Sequence, residues 1–191
     1  SVFEPFATNT LSGNTNGNRT FTNIRIPANT NPHFAGNIHL RGVVYIEQPN
    51  RVSFSGNLDI QGLVVTEDAG DEATDSNYIH FTGNTQTQGV ESLPDTPEFA
   101  GLKQLPGTFL LAPGFGVKFT GNFGTVNGAM AADAFRFTGN AGGTVNGCVI
   151  NWADTDKACY HLSLELIDKA AAFLAPYIED TPAFGGPKHD A

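Results

Sequence analysis

Charge is scarce in this chain. Only 15% of its 191 residues are Asp, Glu, Lys or Arg, against about 25% in an average soluble domain. The 10 basic side chains are scattered singly, and 19 acidic ones bring the net charge to -9. With no basic stripe to neutralise phosphates, nucleic acid and anionic membrane are excluded as expected partners. Cysteine is nearly missing as well. Cys148 and Cys159 are the whole complement, too few for a disulfide framework and without the Cys-x-x-Cys spacing of a zinc site. They can form one bridge or stand as two separate buried thiols. No apolar run approaches the ~20 residues of a membrane helix, so no span is expected within the chain. A signal-peptide pattern is also lacking, and the start at Ser1 reads as that of a processed or excised piece.

What is plentiful is Gly (22 residues), Asn (17), Thr (19) and Phe (15). That mixture is not a helical bundle. Nor is it a disordered chain, because 40% hydrophobic residues support burial.

Much of this composition sits in a recurring phrase, apolar-x-Phe-[Ser/Thr/Ala]-Gly-Asn. Clear copies end in Phe54-Ser-Gly-Asn57, Phe81-Thr-Gly-Asn84, Phe119-Thr-Gly-Asn122 and Phe137-Thr-Gly-Asn140. Phe34-Ala-Gly-Asn37 is a weaker copy, and Arg19-Thr-Phe21-Thr-Asn23 a degenerate one. A further Gly follows each later copy five to seven residues on (Gly42, Gly62, Gly89, Gly128, Gly147), and an apolar run such as Val43–Ile46 follows most of these. The Phe-to-Phe steps are 13, 20, 27, 38 and 18, which a base period of 18–20 with insertions explains. Within a copy the residues alternate as in strands: Val52 and Phe54 with Ser53 and Ser55, then Leu58 and Ile60 with Asp59 and Gln61. No helical stretch separates the units, which disfavours βαβ repeats. Short strands at such a period predict a solenoid.

The expected fold is therefore all-β: a right-handed, single-stranded parallel β-helix of roughly six rungs, with a short C-terminal helix. A run of antiparallel hairpins with Gly-Asn turns is the competing reading. In a β-helix, rungs stack at about 4.8 Å and equivalent residues lie above one another. Phe34, Phe54, Phe81, Phe119 and Phe137 are then an interior ladder. The Gly permits a positive-φ corner. Asn37, Asn57, Asn84, Asn122 and Asn140 are read as turning inward and bonding from rung to rung as an amide ladder.

Residues 1 to 158 are read as the solenoid, with insertions at 66–77 and 91–107. The first insertion is acidic, and Asp68, Asp71 and Asp75 are its candidate calcium ligands, although their spacing does not follow the Asp-x-Asp-x-Asp-Gly loop. A solvated loop without any cofactor is the plainer reading. In the second, Asp95-Thr-Pro-Glu98 marks the start of a short helix over 97–103 on the solenoid wall. Residues 159–180 read as a final strand plus a capping helix, and 181–191 as a loose tail.

Little in the sequence carries chemistry. His33 and His80 hold the same repeat position, one before Phe, and should face outward; as a stacked pair they would be a pH-sensitive or metal-binding feature. Carbohydrate cleavage needs two convergent carboxylates, and nothing places two together. No Gly-x-Ser-x-Gly elbow, phosphate loop or dinucleotide fingerprint is present, so the chain is not expected to be an enzyme. Thr20/Thr22 and Thr85/Thr87 raise a flat threonine array of the ice-binding kind, while Thr82, Thr120 and Thr138 sit at the turn, where local bonding is expected.

The block from Val90 to Trp152 includes Gly107-Thr-Phe-Leu-Leu-Ala-Pro-Gly114-Phe115, Phe119-Thr-Gly-Asn-Phe-Gly-Thr-Val-Asn-Gly128 and Phe137-Thr-Gly-Asn-Ala-Gly-Gly-Thr-Val-Asn-Gly147. It resembles β-helix domains of bacterial prepilin-like, pilus-assembly-associated surface proteins, and is more loosely similar to bactofilins, which polymerise by stacking β-helices end to end. The resemblance covers about residues 37–152 and brings no catalytic residues. The chain departs from it after Trp152, where Tyr160–Ala175 replaces further rungs. The resemblance implies a structural module of a surface or extracellular filament or envelope layer, with itself or other subunits as partners. A carbohydrate-binding or polysaccharide-degrading β-helix is the alternative, with glycans as partners, and an ice-binding solenoid the third.

Overall fold

The computed structural model describes residues 2–70 and 76–151. Their strands, in chain order, are β1 (Asn9–Thr10), β2 (Asn16–Ile26), β3 (His33–Ile46), β4 (Arg51–Thr66), β5 (Tyr78–Phe81), β6 (Asn84–Gln88), β7 (Thr108–Phe119), β8 (Asn122–Asn127), β9 (Ala129–Phe137), β10 (Gly142–Asn146) and β11 (Val149–Asn151). Every pairing among them is parallel, which removes the hairpin reading. The chain coils as a β-solenoid of about seven turns. That is one more than the count of Phe copies suggests, because β1 already contributes a partial turn beneath β2.

The long strand β3 shows one complete turn. Its residues 33–35 form a first wall, 37–41 a second and 43–46 a third, with bends at Gly36 (φ +101°) and Gly42 (φ +81°). β4 repeats this twenty residues later without a single register break, from His33 opposite Ser53 to Ile46 opposite Thr66. In later turns the same walls are supplied by separate strands. Phe54, Phe81, Phe119 and Phe137 continue the first wall in register.

The phenylalanine ladder forms as expected. Ring centroids are 5.0 Å apart for Phe34–Phe54, 5.2 Å for Phe54–Phe81, 4.7 Å for Phe81–Phe119 and 5.4 Å for Phe119–Phe137, all nearly parallel. Its upper end differs from the expectation. Phe137 stacks on Phe119 but remains 45% exposed, so it closes the ladder instead of lying inside it.

The degenerate copy at Phe21 does not belong to the ladder. Gly17 and Asn18 pair with Gly36 and Asn37, while Phe21 pairs with Leu40 on the second wall. The true first copy is Asn16-Gly17-Asn18. Phe21 meets Phe34 edge-on from the neighbouring wall, with centroids 5.5 Å apart.

The asparagines after the glycines face solvent. Asn37, Asn57, Asn84, Asn122 and Asn140 are all exposed. The reason is strand parity: Ile38 and Leu40, like Leu58 and Ile60, point inward, so the residue before each must point out. The amide ladder exists on the outside: Asn84 Nδ2 donates to Asn57 Oδ1 (3.3 Å), and Asn57 Nδ2 to Asn37 Oδ1 (3.0 Å).

Buried amides lie at two corners: at the second, Asn23 Oδ1 accepts the Val43 backbone N–H at 3.1 Å, and the others lie at the third. Asn50 and Asn77 are almost wholly enclosed. Asn50 Nδ2 donates to the carbonyls of Pro27 and Glu47, both at 2.8 Å, and its Oδ1 accepts from the Asn31 backbone N–H. The Asn50 N–H in turn donates to Asn77 Oδ1. These side chains satisfy backbone groups that the corner takes out of the sheet ladder, so burial does not leave them orphaned.

The third wall is apolar on both faces. Val44, Val64, Leu110 and Met130 line the interior, whereas Val43, Tyr45, Leu63, Val65, Leu111 and Ala131 face outward. A cover makes this tolerable. It is built from Phe3 and Ala7 of the N-terminal segment, from Val90, and from Leu93, Phe99 and Leu102 of the second insertion. The insertion carries the expected helix as α1 (Pro97–Ala100), followed by a 3-10 turn at Leu102–Gln104. The near-continuous apolar runs of this wall are the mark of a strand buried on two sides.

The expected final strand and capping helix over 159–180, the tail 181–191 and Cys159 lie outside the described residues. So do Asp71 and Asp75.

Candidate functional site on the second wall

The second wall presents its outer face to solvent as three columns. Asn18, Asn37, Asn57 and Asn84 form the first, Thr20, His39, Asp59 and Gln86 the second, and Thr22, Arg41, Gln61 and Gln88 the third. Between the first two columns runs an open groove of about 610 Å³, floored by the strand backbone at Ile38, Leu58 and Thr85 and extending to Asn122 and Gly124. Its axis crosses the strands, parallel to the axis of the coil.

Two local events shape it. The repeat places an amide at the same corner of each turn, which builds one bank. The other bank ends where the sheet is interrupted: β8 pairs with β10 and not with β6. Thr87 Oγ1 bridges that gap by donating to the Thr125 carbonyl at 3.0 Å. Glycine at 124, with φ +58°, leaves the groove open at this point.

The ionisable groups lining the groove are His39 and Asp59. They meet each other, with His39 Nδ1 3.2 Å from Asp59 Oδ2. Gln61 Nε2 and Gln88 Oε1 join across two turns in the third column at 3.4 Å. The groove is thus a row of amides facing one histidine–carboxylate contact. It contains one carboxylate, not the two that glycosidic cleavage calls for.

The first wall carries a different column: His33, Ser53, His80, Lys118 and Arg136. Ser53 separates the two histidines, so they do not stack. Instead His33 bonds Ser53 Oγ through Nδ1 (2.7 Å) and Ser55 Oγ through Nε2 (3.1 Å). His80 lies between the Tyr78 hydroxyl at Nδ1 (2.8 Å) and Thr120 Oγ1 at Nε2 (3.1 Å). Burial, with a smaller contribution from Lys118, pushes the His80 pKa below the ordinary imidazole value.

Beside the third wall, Arg25 is held at 3.0 Å by both Glu4 and Glu47. The hydrogen bond that Arg25 donates to Glu47 is the largest factor raising its pKa. Tyr45, under the Arg25 guanidinium, is pushed up to about 12, first by burial and then by the nearby carboxylates Glu4 and Glu67.

Of the calcium candidates, Asp68 is the one within the described residues. Its Oδ1 accepts the Gly70 backbone N–H at 2.9 Å and so shapes the loop locally. Among the described residues no group of three metal-ligating side chains converges. The threonines do not form an array: Thr20 stands outward, but Thr85 and Thr87 are buried, and Thr82 Oγ1 donates to the Phe54 carbonyl. Cys148 is disulfide-bonded.

The sequence pattern hides the groove because it suggests an interior place for the asparagine bank. The signal was present: Asn57 immediately precedes the alternation Leu58-Asp-Ile60, which fixes its side.

The fold and its polar groove define a parallel β-solenoid. No protein-family model, curated protein or solved structure matches the chain, and no helix of the described residues is long and apolar enough to cross a membrane.

Proposed function

We propose that the chain is a structural solenoid module of a surface or extracellular assembly, acting by rigid display and self-association, not by catalysis. The observation that carries this reading is the first turn. β1 covers only Ile24 and Arg25 of β2, and among the described residues no strand pairs with the outer edge of Asn16–Phe21. Asn16 is satisfied locally, its N–H by Asn14 Oδ1 and its carbonyl by Arg19 Nε; beyond it, a strand edge that faces no other strand at the end of a stacked coil is a template for pairing. The disulfide at Cys148 supports an oxidising location, because such bonds persist mainly outside the cytosol. The resemblance to pilus-associated β-helices extends the reading to filament or envelope subunits.

Light scattering together with negative-stain microscopy of the isolated protein tests it. Concentration-dependent assembly is expected, and Thr20→Pro on the open edge should reduce it. A strictly monomeric particle at high concentration would sink the self-association reading.

A further inference from the structure

The groove on the second wall is independent of the open edge, and its chemistry is specific enough to name a ligand class. We propose that it binds an uncharged, hydroxyl-rich polymer, a neutral polysaccharide segment lying parallel to the coil axis.

The dimensions come first. The Asn bank runs from Asn18 through Asn37, Asn57 and Asn84 to Asn122, five successive turns. Four steps at about 4.8 Å give a trough roughly 19 Å long. Its 610 Å³ falls in the range of about 300–1,000 Å³ typical of ligand sites. A compact molecule would occupy one part of such a trough. An extended chain meets the same bank at every turn.

Hydrogen-bonding capacity comes next. A side-chain amide carries two N–H donors and an oxygen with two lone pairs. Asn57 uses one N–H toward Asn37 and one lone pair toward Asn84. One donor and one acceptor therefore remain for a ligand at that turn. Because the row already holds the amide at both sides, little side-chain freedom is lost when a ligand binds. Hydroxyl groups, which donate and accept at once, match this alternation; a carboxylate or phosphate, which only accepts, does not.

Charge decides the rest. No lysine or arginine lines the trough, and its one carboxylate, Asp59, lies 3.2 Å from His39 Nδ1. Nothing there rewards an anionic polymer. A polar floor without aromatic rings offers no seat for an apolar ligand. With a single carboxylate, the site retains its ligand and does not cleave it.

Native affinity electrophoresis tests this with the full chain, which migrates readily at a net charge of -9. Gels contain hydroxyethyl cellulose, galactomannan, mixed-linkage glucan or dextran, with alginate as the anionic comparison. At least one neutral polymer is expected to retard the protein. Asn57→Ala combined with Gln86→Ala should weaken the binding tenfold or more while the melting temperature stays near that of the parent, since both side chains are exposed. His39→Ala, on the opposite bank, gives the same loss by an independent route should the double variant fold poorly. No retardation by any neutral polymer, retardation by alginate alone, or unchanged retardation of both variants would overturn the proposal.

Discussion

Gly56 shows what a single residue must satisfy in a stacked coil. Its φ of +89° already disfavours a side chain, and a Cβ there would run into the Gly36 carbonyl oxygen of the turn below. Gly36 stands in the same relation to Gly17, with the carbonyl oxygen 2.6 Å from the Cβ position. Gly17 starts the pile and has open space beneath it at φ +99°. The two demands therefore separate. Gly17→Ala should lower stability by about 1 kcal/mol through backbone strain alone, whereas Gly56→Ala should lose on the order of 3 kcal/mol or more as the turns are forced apart. Urea unfolding of both variants reads the difference; equal losses would show that stacking contact contributes nothing. A second residue-scale expectation concerns His80. Its folded pKa lies below its unfolded value, so the unfolded chain binds the proton more readily. The stability this residue contributes is complete above the unfolded pKa of about 6.5 and is lost as pH falls through the folded pKa. His80→Gln should flatten the decline in stability between neutral and mildly acidic pH, measured by thermal melts across that range.

At the scale of the element, the two asparagine rows make opposite contributions. The exposed row joins Asn37, Asn57 and Asn84 through solvent-accessible bonds, and Asn57→Ala should change stability by about 0.5 kcal/mol or less. Asn50 bonds three backbone groups while fully buried. Asn50→Ala should destabilise by roughly 2–3 kcal/mol, because it leaves buried carbonyls without donors. Chemical denaturation of the pair checks the ordering. This contrast also marks how far the sequence could be read. The Phe period, the parallel coil, the surface insertion and its helix were all legible, because Phe, Gly and Pro impose strong local geometry. Which side Asn57 faces was legible only through its neighbour Leu58. The role of Asn50 was not, since its partners Pro27 and Asn31 lie a full turn away in sequence and no local pattern announces the corner that brings them together. The cover over the third wall was hidden for the same reason: Phe3 and Phe99 join Val43 and Val65 in one cluster from positions far apart in the sequence.

Across the whole molecule, stability is expected to rise from the end turns inward, as in stacked repeats generally. Strands β3 and β4 pair along fourteen positions on each other and are flanked on both sides, while the start of β2 is flanked on one. Hydrogen exchange should then be slow throughout β3 and β4. Along residues 17–21 it should alternate, with amides directed at β3 protected and the intervening ones exchanging freely. Uniform protection along that stretch would mean that another strand already occupies the edge.

The unbroken match of β3 with β4, fourteen positions at a spacing of twenty residues, makes length a quantity that can be counted out in sequence. A tandem copy of residues 33–52 would bring its own ring, its own glycines and its own corner amide, and would set the two ends about 4.8 Å further apart without altering either one. The chain behaves in this respect as a ruler graduated in phenylalanines, and the distance between whatever its two ends hold is written in the number of copies.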